Sequence, residues 1–154
     1  MDYTVRFASS PEDREKAYAL RREVFEVEQN VPRPLDRDTH DHNANHVVAI
    51  DQAGNCIGTG RLVRVDARTC QIGRMAVAPA YRRFGVGARV IEALERMAVL
   101  RGIGEIVLHA QLPSVHFFQA LGYEKAGPEF LDSGVPHVLM RKVLARPEQV
   151  AVGP

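Results

Sequence analysis

The chain has 154 residues, 45% of them hydrophobic and 25% charged, and a net charge of +1 at pH 7 with histidine neutral. That is about the length of one ordinary domain, able to bury roughly two-thirds of its unfolded surface without disulfide or metal staples. A balance this close to neutral excludes the broad attraction to nucleic acid or lipid headgroups that strongly basic chains show.

Cys56 and Cys70 fit neither a disulfide framework nor a zinc spacing. No apolar run approaches the roughly 20 residues of a membrane-spanning helix. Met1-Asp2-Tyr3 opens no secretion-signal pattern. A reduced, cytoplasmic chain with no nucleic-acid and no membrane partner is therefore expected, as one domain over 1–145 with a frayed tail over 146–154.

Tyr3 to Ala8 alternates in polarity and predicts a strand. Ser10-Pro11-Glu12-Asp13 has the order of a helix start: a hydroxyl cap, a proline in the first turn, then acids at the positive end. That helix should run to about Val27, with Ala17, Leu20, Val24 and Val27 forming one apolar stripe. Asn30 to Asn45, rich in proline, aspartate and histidine, reads as a loop. Asp38, His40, Asp41 and His42 within it read as a solvated acidic stretch, and no metal is expected.

Strands are expected at His46 to Asp51, Cys56 to Asp66 and Thr69 to Val77, in an antiparallel run. Val86 to Leu100 is helical in pattern, with Val86, Val90, Ile91, Leu94, Met97 and Ala98 on one side. Glu105 to His109 reads as a strand buried on both faces, and Pro113 to Leu121 as a short helix. Tyr123 to Ala126 and His137 to Val143 close the chain as strands separated by an excursion bearing glycine and proline.

The chemistry concentrates between strand and helix, at Ile72-Gly73-Arg74-Met75-Ala76-Val77-Ala78-Pro79-Ala80-Tyr81-Arg82-Arg83-Phe84-Gly85-Val86-Gly87-Ala88. The first N–H groups of a helix have no partner within it, and the helix dipole adds positive character there. Gly85 and Gly87 keep side chains away from those amides, while Arg82 and Arg83 bring donors suited to phosphate oxygens. Between Gly60 and Val90 there are seven arginines and one acid, Asp66. This is an anion cradle suited to a diphosphate. A P-loop is excluded because no lysine follows the glycines, and the dinucleotide fingerprint because Val90 stands where its third glycine belongs.

Arg82-x-x-Gly85-x-Gly87 resembles the Arg/Gln-x-x-Gly-x-Gly/Ala signature of the GNAT N-acetyltransferase superfamily. Gly73 to Val77 resembles that family's cofactor strand, and Phe117-Phe118-Gln119-Ala120-Leu121-Gly122-Tyr123 its short helix and the glycine-aromatic step after it. Arg22 to Asn30, Gly60-Arg61-Leu62 and Asp132-Ser133-Gly134-Val135-Pro136-His137 are similar to the ElaA-like branch. The resemblance implies an α/β (α+β) fold: a mixed, mostly antiparallel central sheet of about seven strands with splayed central strands, flanked by about four helices. It also implies acetyl transfer from acetyl-CoA, as cosubstrate and without metal, to a primary amine on a small molecule or peptide. Dimers are common among similar proteins, so a homodimer is an expectation.

By the same resemblance the backbone of Met75, Ala76 and Val77 pairs with the pantetheine arm. Arg82, Arg83, Phe84, Gly85, Val86, Gly87 and Ala88 surround the diphosphate. Phe118 takes the place where family members commonly carry a tyrosine that protonates the departing thiolate. Phenylalanine cannot do so, which opens a second reading as a coenzyme A-binding sensor with weak or no turnover. His116 points elsewhere on the helix, and Tyr123 falls in a packing position. Glu28 and His137 are the candidates for catalytic base. His46, Arg61 and Arg74 are the candidates to contact the acceptor, and His109 reads as a core histidine.

Overall fold

The computed structural model describes residues 2–29, 41 and 44–144. The expected tail at 146–154, and Asp38, His40 and His42 of the loop, lie outside the described residues. The chain divides into two compact units, Met1–Val63 with Ile72–Arg96 and Arg64–Gln71 with Met97–Pro154.

β1 (Tyr3–Phe7), β2 (Asn45–Asp51), β3 (Cys56–Arg64) and β4 (Thr69–Val77) lie side by side in that order, all within the first unit except Arg64 of β3 and the first three residues of β4. β1 and β2 are antiparallel, with Val5 opposite Ala49, and β2 and β3 are antiparallel, with Val47 opposite Gly60. β2 is buried along its central residues because helices cover both its faces. On one face α1 (Pro11–Arg21) sets Ala17 against Val48, Ile50 and Ala8. On the other, α2 (Val86–Leu100) sets Val86 over Gly58 of β3, where a Cβ would stand 2.5 Å from Val86 Cγ1. It also sets Val90 and Leu94 over Gly60, where a Cβ would stand 3.0 Å from each and 2.5 Å from Met75 Sδ of β4. Glycines inside a strand mark such a close approach.

α1 begins as its sequence dictates, with the Ser10 hydroxyl accepting from Asp13 N at 3.0 Å. Its continuation departs from expectation. Arg22–Glu28 winds as a π-helix, and Gln29 N reaches back five residues to Val24 O at 3.1 Å. The wider turn rotates later residues off the stripe, so Val24 is buried while Val27 is 73% exposed. The stripe on α2 holds throughout: Val86, Val90, Ile91, Leu94, Met97 and Ala98 are all buried.

The second unit carries β5 (Glu105–Gln111), β7 (Val135–Val143) and β6 (Glu124–Asp132) in that spatial order, with both pairs antiparallel. Its short helix α3 (Val115–Ala120) follows a turn of 3-10 helix. Three α-helices are thus present among the described residues, the π-helix extending the first. Two strand readings need correction. β5 is not buried on both faces: Ile106, Leu108 and Ala110 point inward while His109 and Gln111 are exposed. β6 runs on to Asp132 through a register shift between Lys125 and Glu129, which absorbs Gly127 and Pro128 as a bulge. The hairpin then turns at Ser133 and Gly134, both at positive φ.

Candidate active site

The anion cradle is held from several sides. Ala78 N donates to Ile57 O at 2.9 Å, tying the end of β4 to β3. A single 3-10 turn, Pro79–Tyr81, follows. The Tyr81 hydroxyl donates to Asp51 Oδ2 at 3.0 Å. Asp51 also accepts from the amides of Asn55 and Ala53, and these donors, Asn55 first, hold its carboxyl below the usual range. The Tyr3 hydroxyl donates to Phe84 O at 3.3 Å.

Between these anchors Arg82 to Gly85 stand exposed. Arg83 has φ +70° and Gly85 φ +78°, so the chain reverses through two left-handed residues before α2 begins. A Cβ at Gly85 would meet nothing within 4 Å; the position is open in front of the helix. Arg89 N closes the first helical turn on Gly85 O at 3.1 Å. The amides of Val86, Gly87 and Ala88 therefore precede the intrahelical ladder. Val86 is 1% exposed and roots the helix start in the core. Among the described residues, none forms an ion pair or hydrogen bond with the Arg83 side chain.

Arg82 is placed differently. Its Nη1 and Nη2 both reach Glu28 at 2.8 Å as a two-pronged fork, and its Nε donates to Val77 O at 3.0 Å. Residues expected in separate roles, 54 positions apart, are thus joined at the end of β4. The hydrogen bond from Arg82 holds the Glu28 carboxyl below its ordinary range. One position before Met75, Arg74 adopts φ +51° inside β4, an uncommon conformation for a residue with a side chain.

His46 and Arg61 lie inside the first unit, in a buried polar cluster. Asp41 Oδ1 accepts from Arg21 Nη1 and Arg61 Nη1 at 2.9 Å each, and Asp41 Oδ2 accepts from Arg21 Nη2 at 3.1 Å. His46 Nε2 lies 3.2 Å from Asp41 O, and its ring meets Tyr18 edge-on at 5.6 Å. A carbonyl can only accept, so the proton sits on Nε2 and the lone pair on Nδ1, which is buried without a partner among the described residues. Burial pushes the His46 pKa down. Nothing in the sequence separates this cluster from solvated charges, since its members are spread over forty residues.

His137 sits at the start of β7, 8% exposed, with Nδ1 2.7 Å from Val135 O. By the same reasoning its proton is on Nδ1 and its lone pair on Nε2. Phe130, opposite it on β6, stacks on its ring at 5.9 Å and meets exposed His109 edge-on at 5.1 Å. Phe130 carries no sequence signal beyond being aromatic. Phe118 on α3 packs edge-on against Phe117 and Tyr123, and Tyr123 is buried. No group of three or more metal-ligating side chains occurs among the described residues, and no helix among them is long and apolar enough to cross a membrane.

Comparison with known proteins identifies the family. Residues 8–144 match the family model of the acetyltransferase (GNAT) domain. The chain is 35% identical over 136 residues to the uncharacterized N-acetyltransferase YjcF of Bacillus subtilis (strain 168), covering 88% of this chain and 96% of that protein. The crystal structure of an acyl-CoA N-acyltransferase from Pseudomonas aeruginosa matches with a TM-score of 0.77 at 26% identity, covering 92% of this chain and 98% of that one. Escherichia coli ElaA matches with a TM-score of 0.78 at 25% identity and the same coverage of each chain. The chain belongs to the GNAT acetyltransferase family and is an acyl-CoA N-acyltransferase, drawing its acyl group from acetyl-CoA.

Proposed function

We propose that this enzyme transfers acetyl to a primary amine carried by a small molecule or peptide, seating the cofactor diphosphate where the Arg83–Gly85 turn enters α2. The observation that carries the reading is that exposed, left-handed turn in front of three amides outside the helical ladder, beside the Arg83 guanidinium, which has no partner among the described residues. A helix start of this kind favours phosphate. Gly85 leaves room for it, and Val86 gives the amides a rigid base. The backbone of Met75, Ala76 and Val77 is assigned to the pantetheine arm, from the family resemblance. Phe84 and Phe118 are assigned as apolar neighbours of the cofactor.

Acetyl-CoA, when bound, supplies an acetyl thioester. For transfer, the nitrogen of the neutral amine must shed a proton as its bond to the acetyl carbon forms, and the sulfur that leaves as the C–S bond breaks must gain one. His137 suits the first task, because its tautomer leaves Nε2 as an acceptor. Phe118 has no proton to give, so the thiolate is assigned a proton from water. Arg74, within β4, is assigned to the acceptor side. His46 and Arg61 are assigned to shape that side from within their buried cluster, without touching the acceptor.

Release of free thiol from acetyl-CoA, followed across a panel of primary amines with wild-type and His137→Gln protein, tests the reading. Turnover of at least one amine, strongly reduced in the variant, is expected. No thiol release with any amine, despite binding of acetyl-CoA, would contradict it and favour a sensor.

A further inference from the structure

The motif leads one to expect both arginines of the turn on the phosphates. The geometry points to a different division of labour: Arg82 is a positioning residue that fastens the Glu28 carboxylate to the end of β4, and phosphate recognition falls to Arg83 and the helix amides. This rests on the cofactor site proposed above.

Three donors of the Arg82 side chain are committed within the chain, one on Nε to Val77 O and one on each Nη to Glu28. Such a fork is planar and fixes both partners in direction as well as distance. Val77 ends β4 and Glu28 ends the π-helix, so one guanidinium joins the strand assigned to the cofactor to the last residue of a rare element that is frequent at functional sites. The Glu28 carboxylate is thereby set within one guanidinium's width of the Val77 carbonyl, kept ionised, and turned into a fixed acceptor rather than a proton-abstracting base. Arg83 shows the opposite features, being exposed and left-handed, with no side-chain partner among the described residues. The two Glu28 oxygens keep lone pairs beyond those the Arg82 fork fills, so the fixed carboxylate can still accept from an amine N–H, and Glu28 serves to hold the acceptor.

Acetyl-CoA affinity of Arg82→Gln, Arg83→Gln and Glu28→Gln proteins, measured by calorimetry, separates the roles. Arg83→Gln should weaken binding about tenfold, the loss of one hydrogen bond to a charged group. Arg82→Gln and Glu28→Gln should change it less than about threefold, within the worth of an exposed ion pair. With an amine that turns over, both should raise the amine KM while leaving kcat closer to wild type, and the double variant should be no worse than either single one. The proposal is overturned if Arg82→Gln weakens acetyl-CoA as much as Arg83→Gln does, or if Glu28→Gln tightens it, for then Glu28 competes with phosphate. Should no variant or wild type bind acetyl-CoA, the cofactor site itself fails. The Glu28 carboxyl, followed by carbon-13 resonance, still decides the Arg82 contact: its titration midpoint rises in Arg82→Gln, and an unmoved midpoint rejects the contact.

Discussion

Replacing Gly58 with alanine tests how the core supports the cofactor site. A Cβ there would stand 2.5 Å from Val86 Cγ1, 3.4 Å from Ala49 Cβ and 3.6 Å from Val90 Cγ2. Carbon atoms pack best at about 3.5–4.0 Å, so the first contact is short by about 1 Å. Val86 cannot swing aside, because a β-branched residue in a helix has one strongly preferred rotamer and the side chain is buried. The start of α2 must therefore move. Overpacking of this kind costs about 1–3 kcal/mol, which for a domain of this size lowers the melting temperature by roughly 2–12 °C. Val86 is the first residue of α2, so the shift misplaces the amides assigned to the diphosphate. Losing one charge-assisted hydrogen bond weakens acetyl-CoA by about tenfold. Calorimetry reads the affinity and thermal unfolding the stability. In Gly58→Ala with Val86→Ala the clash is gone, and both quantities should recover relative to Gly58→Ala. Unchanged melting and affinity in the single variant, or no recovery in the double, would refute the reasoning.

Asp41→Asn keeps the shape of the buried cluster but leaves the Arg21 and Arg61 guanidiniums facing a neutral amide. Breaking a buried pair in this way costs about 3–5 kcal/mol, to be read from urea unfolding, and a loss below about 1 kcal/mol would mean the cluster is not held by charge. His46 gives a pH dependence. Its native pKa is lowered from 6.5 by burial, so the unfolded state binds the proton first and stability falls as pH drops through and below 6.5. The lowered carboxyls of Asp13 and Asp51 add their loss only below about pH 4. Urea midpoints between pH 7.5 and 5 should therefore decline more in wild type than in His46→Gln, and parallel curves would reject the assignment.

What could be read from the sequence was what local chemistry decides. The Ser10 cap, the α2 stripe and the glycine turn each depend on residues a few positions apart, and each stands where expected. What could not be read depends on distant partners. Asp41, in a stretch of prolines and aspartates, is a buried anion only because α1 and β3 bring Arg21 and Arg61 to it. Glu28 reads in the sequence as a candidate base, and only the fold brings Arg82 to it. Val27 fits an α-helical stripe and is exposed because the winding changes pitch before it. Gly58 and Gly60 did carry a signal, since glycines inside a strand announce close packing, and at Gly58 that packing is against Val86, where α2 begins.

Titration of the protein with acetyl-CoA and with acetyl-pantetheine, which keeps the thioester and arm but lacks the diphosphate, tests the account most directly. Two or more charge-assisted hydrogen bonds at the turn should make acetyl-CoA bind at least about a hundredfold tighter. Equal affinities for the two would contradict the placement of a diphosphate at the start of α2.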